Sequence, residues 1–207
     1  MIVTVDYYLT VVSPFAYFGH DVFLEMMART GARFRYRPVK LATVFAATGG
    51  APLPKRHKAR QHYRLLELQR WREKRGVQLN LMPAYFPADP TLADRSAIAI
   101  QNAGGDPGNF VGRAMRAVWA HDKNIADDHV VAGLLADAGQ DATAILAEAA
   151  GEATAAAYDD NTEEAITLGV VGAPGFVLNG EPFWGQDRID LLEDAITSGR
   201  APFAATA

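Results

Sequence analysis

A mixed α/β fold, with strands at both ends of the chain and a run of helices between them, is what the sequence predicts. Three observations carry that expectation. Met1 to Leu9 reads as a strand, since Ile2, Val3, Val5, Tyr7, Tyr8 and Leu9 are β-branched, aromatic or aliphatic. Near the other end, Val177-Leu178 runs into Asn179-Gly180, the strongest short hairpin signal. From about residue 55 to 168 the apolar positions recur at helical spacing instead. With 207 residues, 49% of them hydrophobic, the chain can bury a sizeable core in one domain or in one domain with a large insertion.

The first strand leads into Thr10-Val11-Val12-Ser13-Pro14-Phe15-Ala16-Tyr17. A helix is expected from Phe15 to Arg29, with Phe15, Phe18, Val22, Phe23, Met26 and Met27 as its apolar residues. Ser13 stands where an N-cap belongs, and Pro14 occupies the first turn, where its missing N–H costs nothing. The loop thus lifts one hydroxyl to the mouth of a strand–helix unit, beside unpaired backbone donors and the positive end of the helix dipole. That is a place to hold an anion. On the local pattern alone Ser13 is simply a cap; the rest of the chain argues for more.

Ala32 to Val39, centred on Phe34-Arg35-Tyr36-Arg37, is the expected second strand, ended at or soon after Pro38. Strand, helix and strand make a βαβ unit with a right-handed crossover. Leu41 to Phe45 is a short apolar stretch, and Thr48-Gly49-Gly50-Ala51-Pro52-Leu53-Pro54 is a turn-rich loop that marks a change of region.

Lys55 to Arg75 is then helical, with Ala59, Tyr63, Leu66 and Trp71 on or near one stripe and Gly76 as its C-cap. Lys55, Arg56, Lys58, Arg60, Arg64, Arg70, Arg72, Lys74 and Arg75 make it strongly basic. The plain reading is a solvated face; the functional one is that one or two of these cations point into a site for an anionic ligand. Nucleic acid is disfavoured, because stacking aromatics are not interleaved with the charges and the net charge is −4. Met82 to Pro90 is a proline-pinned loop. Helices follow: one from Asp106-Pro107 with Phe110, Met115, Val118 and Trp119; one from Asp127 or Asp128, ended by Gly139; one or two in Thr143 to Thr167. Gly169 to Leu178 and the return stretch Glu181-Pro182-Phe183-Trp184 form the hairpin. Gly185-Gln186-Asp187-Arg188 opens a last amphipathic helix with Ile189, Leu191, Leu192, Ala195 and Ile196, stopped by Ser198-Gly199. The order is βαβ, a block of helices, then ββα: a thioredoxin-like fold with an inserted all-helical domain. The expected parts are residues 1–48 and 169–207 for the thioredoxin-like domain and 49–168 for the insertion.

Several chemistries are set aside. The chain has no cysteine, which excludes disulfides and catalysis by its own thiol. The start lacks a basic segment followed by a long apolar one, and no apolar run has membrane-spanning length, so a soluble cytoplasmic protein is expected. His20, His57, His62, His121 and His129 show no metal-ligand spacing, and no metal is expected. His20 lies one helical repeat beyond Ser13 by way of Tyr17, which raises a serine–histidine hydrolase, but no Gly-x-Ser-x-Gly elbow exists. Neither Gly49-Gly50 nor Gly104-Gly105 is followed by a Lys-Ser/Thr pair, so no phosphate loop is indicated.

Four stretches, in order along nearly the whole chain, match a known family: Val12-Ser13-Pro14-Phe15-Ala16-Tyr17; Leu68-Gln69-Arg70-Trp71 with Tyr63 before it; Gly172-Ala173-Pro174; and Phe183-Trp184-Gly185-Gln186-Asp187-Arg188. On these the chain resembles the glutathione-dependent 2-hydroxychromene-2-carboxylate isomerases, which belong with kappa-class glutathione transferases in the DsbA-like branch of thioredoxin folds. The resemblance implies that Ser13 replaces a catalytic cysteine and donates its hydroxyl hydrogen to the thiolate of bound glutathione. It implies that Ala173 pairs its backbone with the tripeptide through a cis bond to Pro174, and that Asp187 with Gln186 receives the γ-glutamyl end. Arg60 stands where the family often has lysine and would meet a glutathione carboxylate. Phe15, Tyr85 and Trp184 are the candidates for an aromatic-lined substrate pocket, although each also suits plain packing. A homodimer is implied by the resemblance alone. Two departures stand out: Thr48-Gly49-Gly50-Ala51 where many members have Gly-Asn, and Gly175 where threonine is common. Left open beside the isomerase are a kappa-like transferase and a non-enzymatic binding module of the same fold.

Overall fold

The computed structural model describes residues 3–204; the expected strand positions Met1 and Ile2 lie outside them. Strands β1 (Thr4–Leu9), β2 (Arg33–Pro38), β3 (Gly175–Leu178) and β4 (Glu181–Trp184) form one sheet in the order β2-β1-β3-β4. β2 runs parallel to β1, while β3 is antiparallel to both β1 and β4. The strands therefore come from both ends of the chain, and β1 is internal.

That placement explains its composition. Successive side chains of a strand point to opposite faces, and here both faces are covered. Tyr7 lies on one face, its ring 4.7 Å from Phe23 and 5.1 Å from Phe176. Tyr8 lies on the other with Val39, Val44, Val170 and Val177. A strand buried on both sides reads as an almost unbroken apolar run, which is what made it legible.

Helix α1 (Pro14–Thr30) crosses from β1 to β2 with Ser13 as its N-cap, Pro14 in its first turn and Gly31 closing it in the left-handed conformation at φ 66°. The apolar stretch at Leu41 grows into a helix of its own, α2 (Leu41–Thr48). A 3-10 turn at Leu53–Lys55 precedes α3 (Lys58–Arg75), which begins three residues later than expected because His57 caps it, Nδ1 accepting from Ala59 N–H. Its stripe also differs. Tyr63 and Leu66 are 58% and 47% exposed, and Leu68 is the fully buried residue. The reason is that α3 roofs a cleft and reaches the core through that side chain, with Leu65 and Trp71 half-buried beside it.

The remaining helices are α4 (Thr91–Asn102), α5 (Gly108–Trp119), α6 (Asp128–Asp137), α7 (Ala142–Ala150) and α8 (Glu152–Thr167). α4 is the one that the reading of the chain did not single out; Pro90 at its start offers no side-chain cap. A second 3-10 turn, Gln186–Arg188, leads into α9 (Ile189–Ser198), stopped by Gly199 at φ 61°. One apolar cluster joins Tyr7, Leu9 and Phe176 of the sheet to Phe110, Trp119 and Leu135 of the helical block. Among the described residues no helix is long and apolar enough to cross a membrane.

Candidate active site

A cleft of about 800 Å³ opens where β1 passes into α1, at the upper end of the range usual for small-molecule sites, about 300–1,000 Å³. Its floor is Val12, Ser13, Pro14 and Phe15; α2 contributes Leu41 and Phe45; α3 contributes Arg64, Glu67 and Trp71. Met82 and Phe86 of the proline-pinned loop form one side, and Gly172, Ala173 and Trp184 to Arg188 form the other.

Ser13 is 4% exposed, and its hydroxyl has two partners. It accepts from Ala16 N–H at 3.2 Å, the capping bond that the sequence announced. It donates to the carbonyl of Ala173 at 2.8 Å, across 160 residues of chain. The Ala173–Pro174 bond is cis, and Pro174 O accepts from Gly185 N–H at 2.9 Å. The loop before β3 is therefore pinned between the cap of α1 and the end of β4. Among the described residues, no backbone carbonyl accepts from the Ala173 N–H. An N–H at a cleft wall with no partner invites an extended ligand backbone.

The first loop is itself held from behind. Asp94 of α4 is fully buried; Oδ1 accepts from Val11 N–H at 2.9 Å, and Oδ2 accepts from the Tyr158 hydroxyl of α8 at 2.9 Å. Burial pushes the Asp94 carboxyl up to about 7, against the lowering effect of the bonds from Val11 and Tyr158. Sequence reading missed this residue. Its neighbours Arg95 and Ser96 are polar as well, so no local pattern along the chain marks it.

The other expected residues divide. Ser13, Phe15, Ala173, Trp184, Gln186 and Asp187 line the cleft together, and Pro174 stands directly behind Ala173. Trp184 is 56% exposed and its indole abuts the loop before β3, where a Cβ at Gly172 would come within 2.6 Å of the indole nitrogen. Gln186 is buried, and its side-chain oxygen already accepts from Arg75 at 2.6 and 3.2 Å, so that oxygen serves to hold α3. Asp187 is exposed and forms an ion pair with Arg188 at 2.6 Å.

Arg60 and Tyr85 are not brought to the cleft. Arg60 sits in the first turn of α3, out in solvent, and Arg64 one turn further along is the residue that reaches the wall. Tyr85 is 52% exposed, while Phe86 beside it turns inward against Trp119 at 4.8 Å. His20 is buried with Nε2 against Gly108 O at 3.1 Å, among Tyr7 and Tyr36. Since the Ser13 hydroxyl bonds Ala173 and Ala16, the serine–histidine pair is not formed. No cluster of three or more metal-binding side chains occurs among the described residues.

The two departures from the family pattern also take shape. The loop at Ala51 offers a backbone carbonyl, which accepts from Arg56 Nε at 2.7 Å, in place of a side-chain amide. At position 175 a Cβ would meet Val170 Cγ1 at 2.7 Å and Gly172 O at 3.1 Å, so glycine suits the close packing at the start of β3.

Comparison with known proteins agrees with this geometry. The model of the DSBA-like thioredoxin domain matches residues 4–197. A 2-hydroxychromene-2-carboxylate isomerase of Pseudomonas sp. (strain C18) is 30% identical over 205 residues, covering 98% of this chain and 93% of that protein. Glutathione S-transferase kappa 1 of Caenorhabditis elegans is 24% identical over 207 residues, covering 93% and 90%. The solved structure of a 2-hydroxychromene-2-carboxylate isomerase superposes with a TM-score of 0.78 at 28% identity, covering 94% and 95% of the two chains. With a serine hydroxyl at the helix cap, a cis-proline loop bonded to it and no cysteine anywhere, the chain belongs to the DSBA-like thioredoxin-domain family and, within it, to the family that includes the 2-hydroxychromene-2-carboxylate isomerases.

Proposed function

We propose that the protein is a glutathione-dependent isomerase that interconverts 2-hydroxychromene-2-carboxylate and trans-o-hydroxybenzylidenepyruvate in aromatic catabolism. The observation that carries the proposal is the Ser13 hydroxyl at the N-terminus of α1, facing the cis-proline loop across the floor of the cleft. The residues present suit glutathione. An unpaired Ala173 N–H fits its backbone, Asp187 is exposed to receive its γ-glutamyl ammonium group, and the cleft has room for a second small molecule beside it. When bound, glutathione would be held by Ser13, Ala173 and Asp187 and would supply a thiolate nucleophile that is returned at the end of each turnover.

The task of Ser13 is to keep that sulfur anionic and in place. A free cysteine thiol has a pKa of about 8.5, and lowering it by about two units needs roughly 2.7 kcal/mol of preferential stabilisation. A hydrogen bond to a charged acceptor contributes about 1.5–3 kcal/mol, and a helix N-terminus about 0.3–2 kcal/mol. Against this, Ser13 must first release Ala173 O, a neutral bond of net worth about 0.5–1.5 kcal/mol. The Ala16 N–H that donates to the same oxygen polarises the hydroxyl and strengthens it as a donor. The net, about 0.3–4.5 kcal/mol, spans the requirement. Full ionisation raises the thiolate concentration only about thirtyfold at pH 7, so the larger share of any acceleration comes from positioning in the cleft.

Spectrophotometric turnover of the chromene carboxylate with and without glutathione tests the reading; turnover without the tripeptide would remove it. In Ser13→Ala the ultraviolet thiolate absorbance of bound glutathione should fall markedly, and unchanged absorbance would count against the role assigned to Ser13. The kappa-class relative favours one other reading, conjugation. Under the proposed reaction glutathione is recovered in full, whereas a transferase consumes it.

A further inference from the structure

The wall of the cleft carries more positive charge than it neutralises. Arg188 is paired with Asp187, and Glu67, the acid nearest along α3, is occupied by Arg70 at 2.6 Å and the Trp71 indole N–H at 3.2 Å. That leaves Arg56 and Arg64. Among the described residues neither has a carboxylate within ion-pair distance, and no group accepts a hydrogen bond from the Arg64 guanidinium. Its neighbours are rings, Phe86 at 5.5 Å and Trp119 at 5.7 Å. Burial pushes Arg64 down to about 10, and the charge of Arg56 adds to the effect. Contact with aromatic faces offsets part of the lost hydration and satisfies none of the five N–H groups. A half-buried guanidinium beside a second cation, with all its donors open, is costly until an anion completes it.

We propose that Arg64, supported by Arg56, grips the carboxylate of an aromatic acid in the cleft and so selects acids over neutral molecules of the same shape. The inference rests on the reading above, and it names the residue that recognises the substrate's charge. The planar fork of a guanidinium matches a carboxylate, and Phe45, Trp71 and Phe86, which line the same cleft, supply flat apolar surface for a ring system. A carboxylate of the tripeptide is the other possible source of the same chemistry. Glutathione is expected along Ala173 and Asp187, whereas Arg64 stands against Phe86 of the proline-pinned loop and Trp119 of α5.

Calorimetric titration without turnover tests this, using coumarin carboxylate and its neutral methyl ester on the wild-type protein, Arg64→Met and Arg64→Lys. The acid should bind the wild type roughly tenfold or more tightly than the ester. Arg64→Met should abolish that preference while leaving the ester's affinity in place, and Arg64→Lys should keep part of it. Equal binding of acid and ester to the wild type, or a parallel loss of both in Arg64→Met, overturns the proposal. So does the same ratio in all three proteins. If Arg64→Met melts at room temperature, the wild-type ratio and the lysine variant still decide. A second arm titrates glutathione against its glycyl monoester. Loss of that discrimination in Arg64→Met, with the aromatic pair unaffected, gives the cation to the tripeptide and overturns the assignment to the aromatic acid. Acid preference without any isomerisation would remove the proposed reaction and leave this site standing.

Discussion

Asp94 joins the helical block to the chemistry at the scale of a single carboxyl. One oxygen holds the backbone of Val11, two residues before Ser13, and the other accepts from Tyr158. Its pKa is raised from the ordinary carboxylate range to about 7, chiefly by burial. The sign follows from proton linkage. The folded chain binds this proton more tightly than the unfolded chain, so the stability it contributes is complete below about pH 4 and is lost as pH rises through about 7. The loss amounts to at most about 4 kcal/mol. Asp94→Asn keeps an acceptor for Val11 and cannot ionise. Urea unfolding of the two proteins from pH 4 to 8 should therefore show the variant gaining on the wild type across that interval; a constant difference would contradict the assignment. Glu67 and Glu181, held low mainly by Arg70 and Arg200, act in the opposite sense, and both proteins share them. Ser13 was legible because a cap is written in consecutive residues. Asp94 was not, since its importance comes from a partner 83 positions away.

Among the elements, α3 is the one that makes the cleft a cleft. It roofs the floor laid by the start of α1 and is tied down at few points: Leu68 in the core, and Arg75 to the side-chain oxygen of Gln186. Leu68→Ala should lower the unfolding free energy by about 2–5 kcal/mol, read from denaturant titration, and should weaken aromatic-acid binding as the roof loosens. A cost below about 1 kcal/mol would mean that α3 is anchored elsewhere. The sequence marked this helix correctly as basic and misjudged which way it faces. Helical spacing lists the residues that share a side, but α3 covers a half-empty space, so neither side is uniformly apolar. Arg60, expected at the site on the resemblance alone, stays in solvent one turn before Arg64, and in the proline-pinned loop Phe86, not Tyr85, lines the cleft.

At the scale of the whole molecule, the sheet and the helical block share one apolar cluster, running from Tyr7 and Phe176 through Phe23 to Phe110, Trp119 and Leu135. Two units with a common interior cannot lose their packing separately without exposing it. Urea unfolding followed by tryptophan fluorescence and by far-ultraviolet circular dichroism should therefore give coincident single transitions. Two of the tryptophans, Trp71 and Trp119, lie in the helical block, while the dichroism reports the whole chain. A fluorescence transition well separated from the dichroism one would show that the block unfolds on its own.

The sequence by itself determined the order of strands and helices, the cap that presents Ser13, the turn signals that end the elements and the absence of a thiol. All of these depend on neighbours within a few residues, where backbone sterics and hydrogen bonding are decisive. Tertiary structure alone decided that the Ser13 hydroxyl rests on Ala173, that Asp94 steadies the loop from behind, and that Arg64 lines the cleft with no carboxylate beside it among the described residues. Those facts depend on which groups meet after the chain has folded, because burial and charge pairing are properties of an assembled interior and have no local signature along the chain.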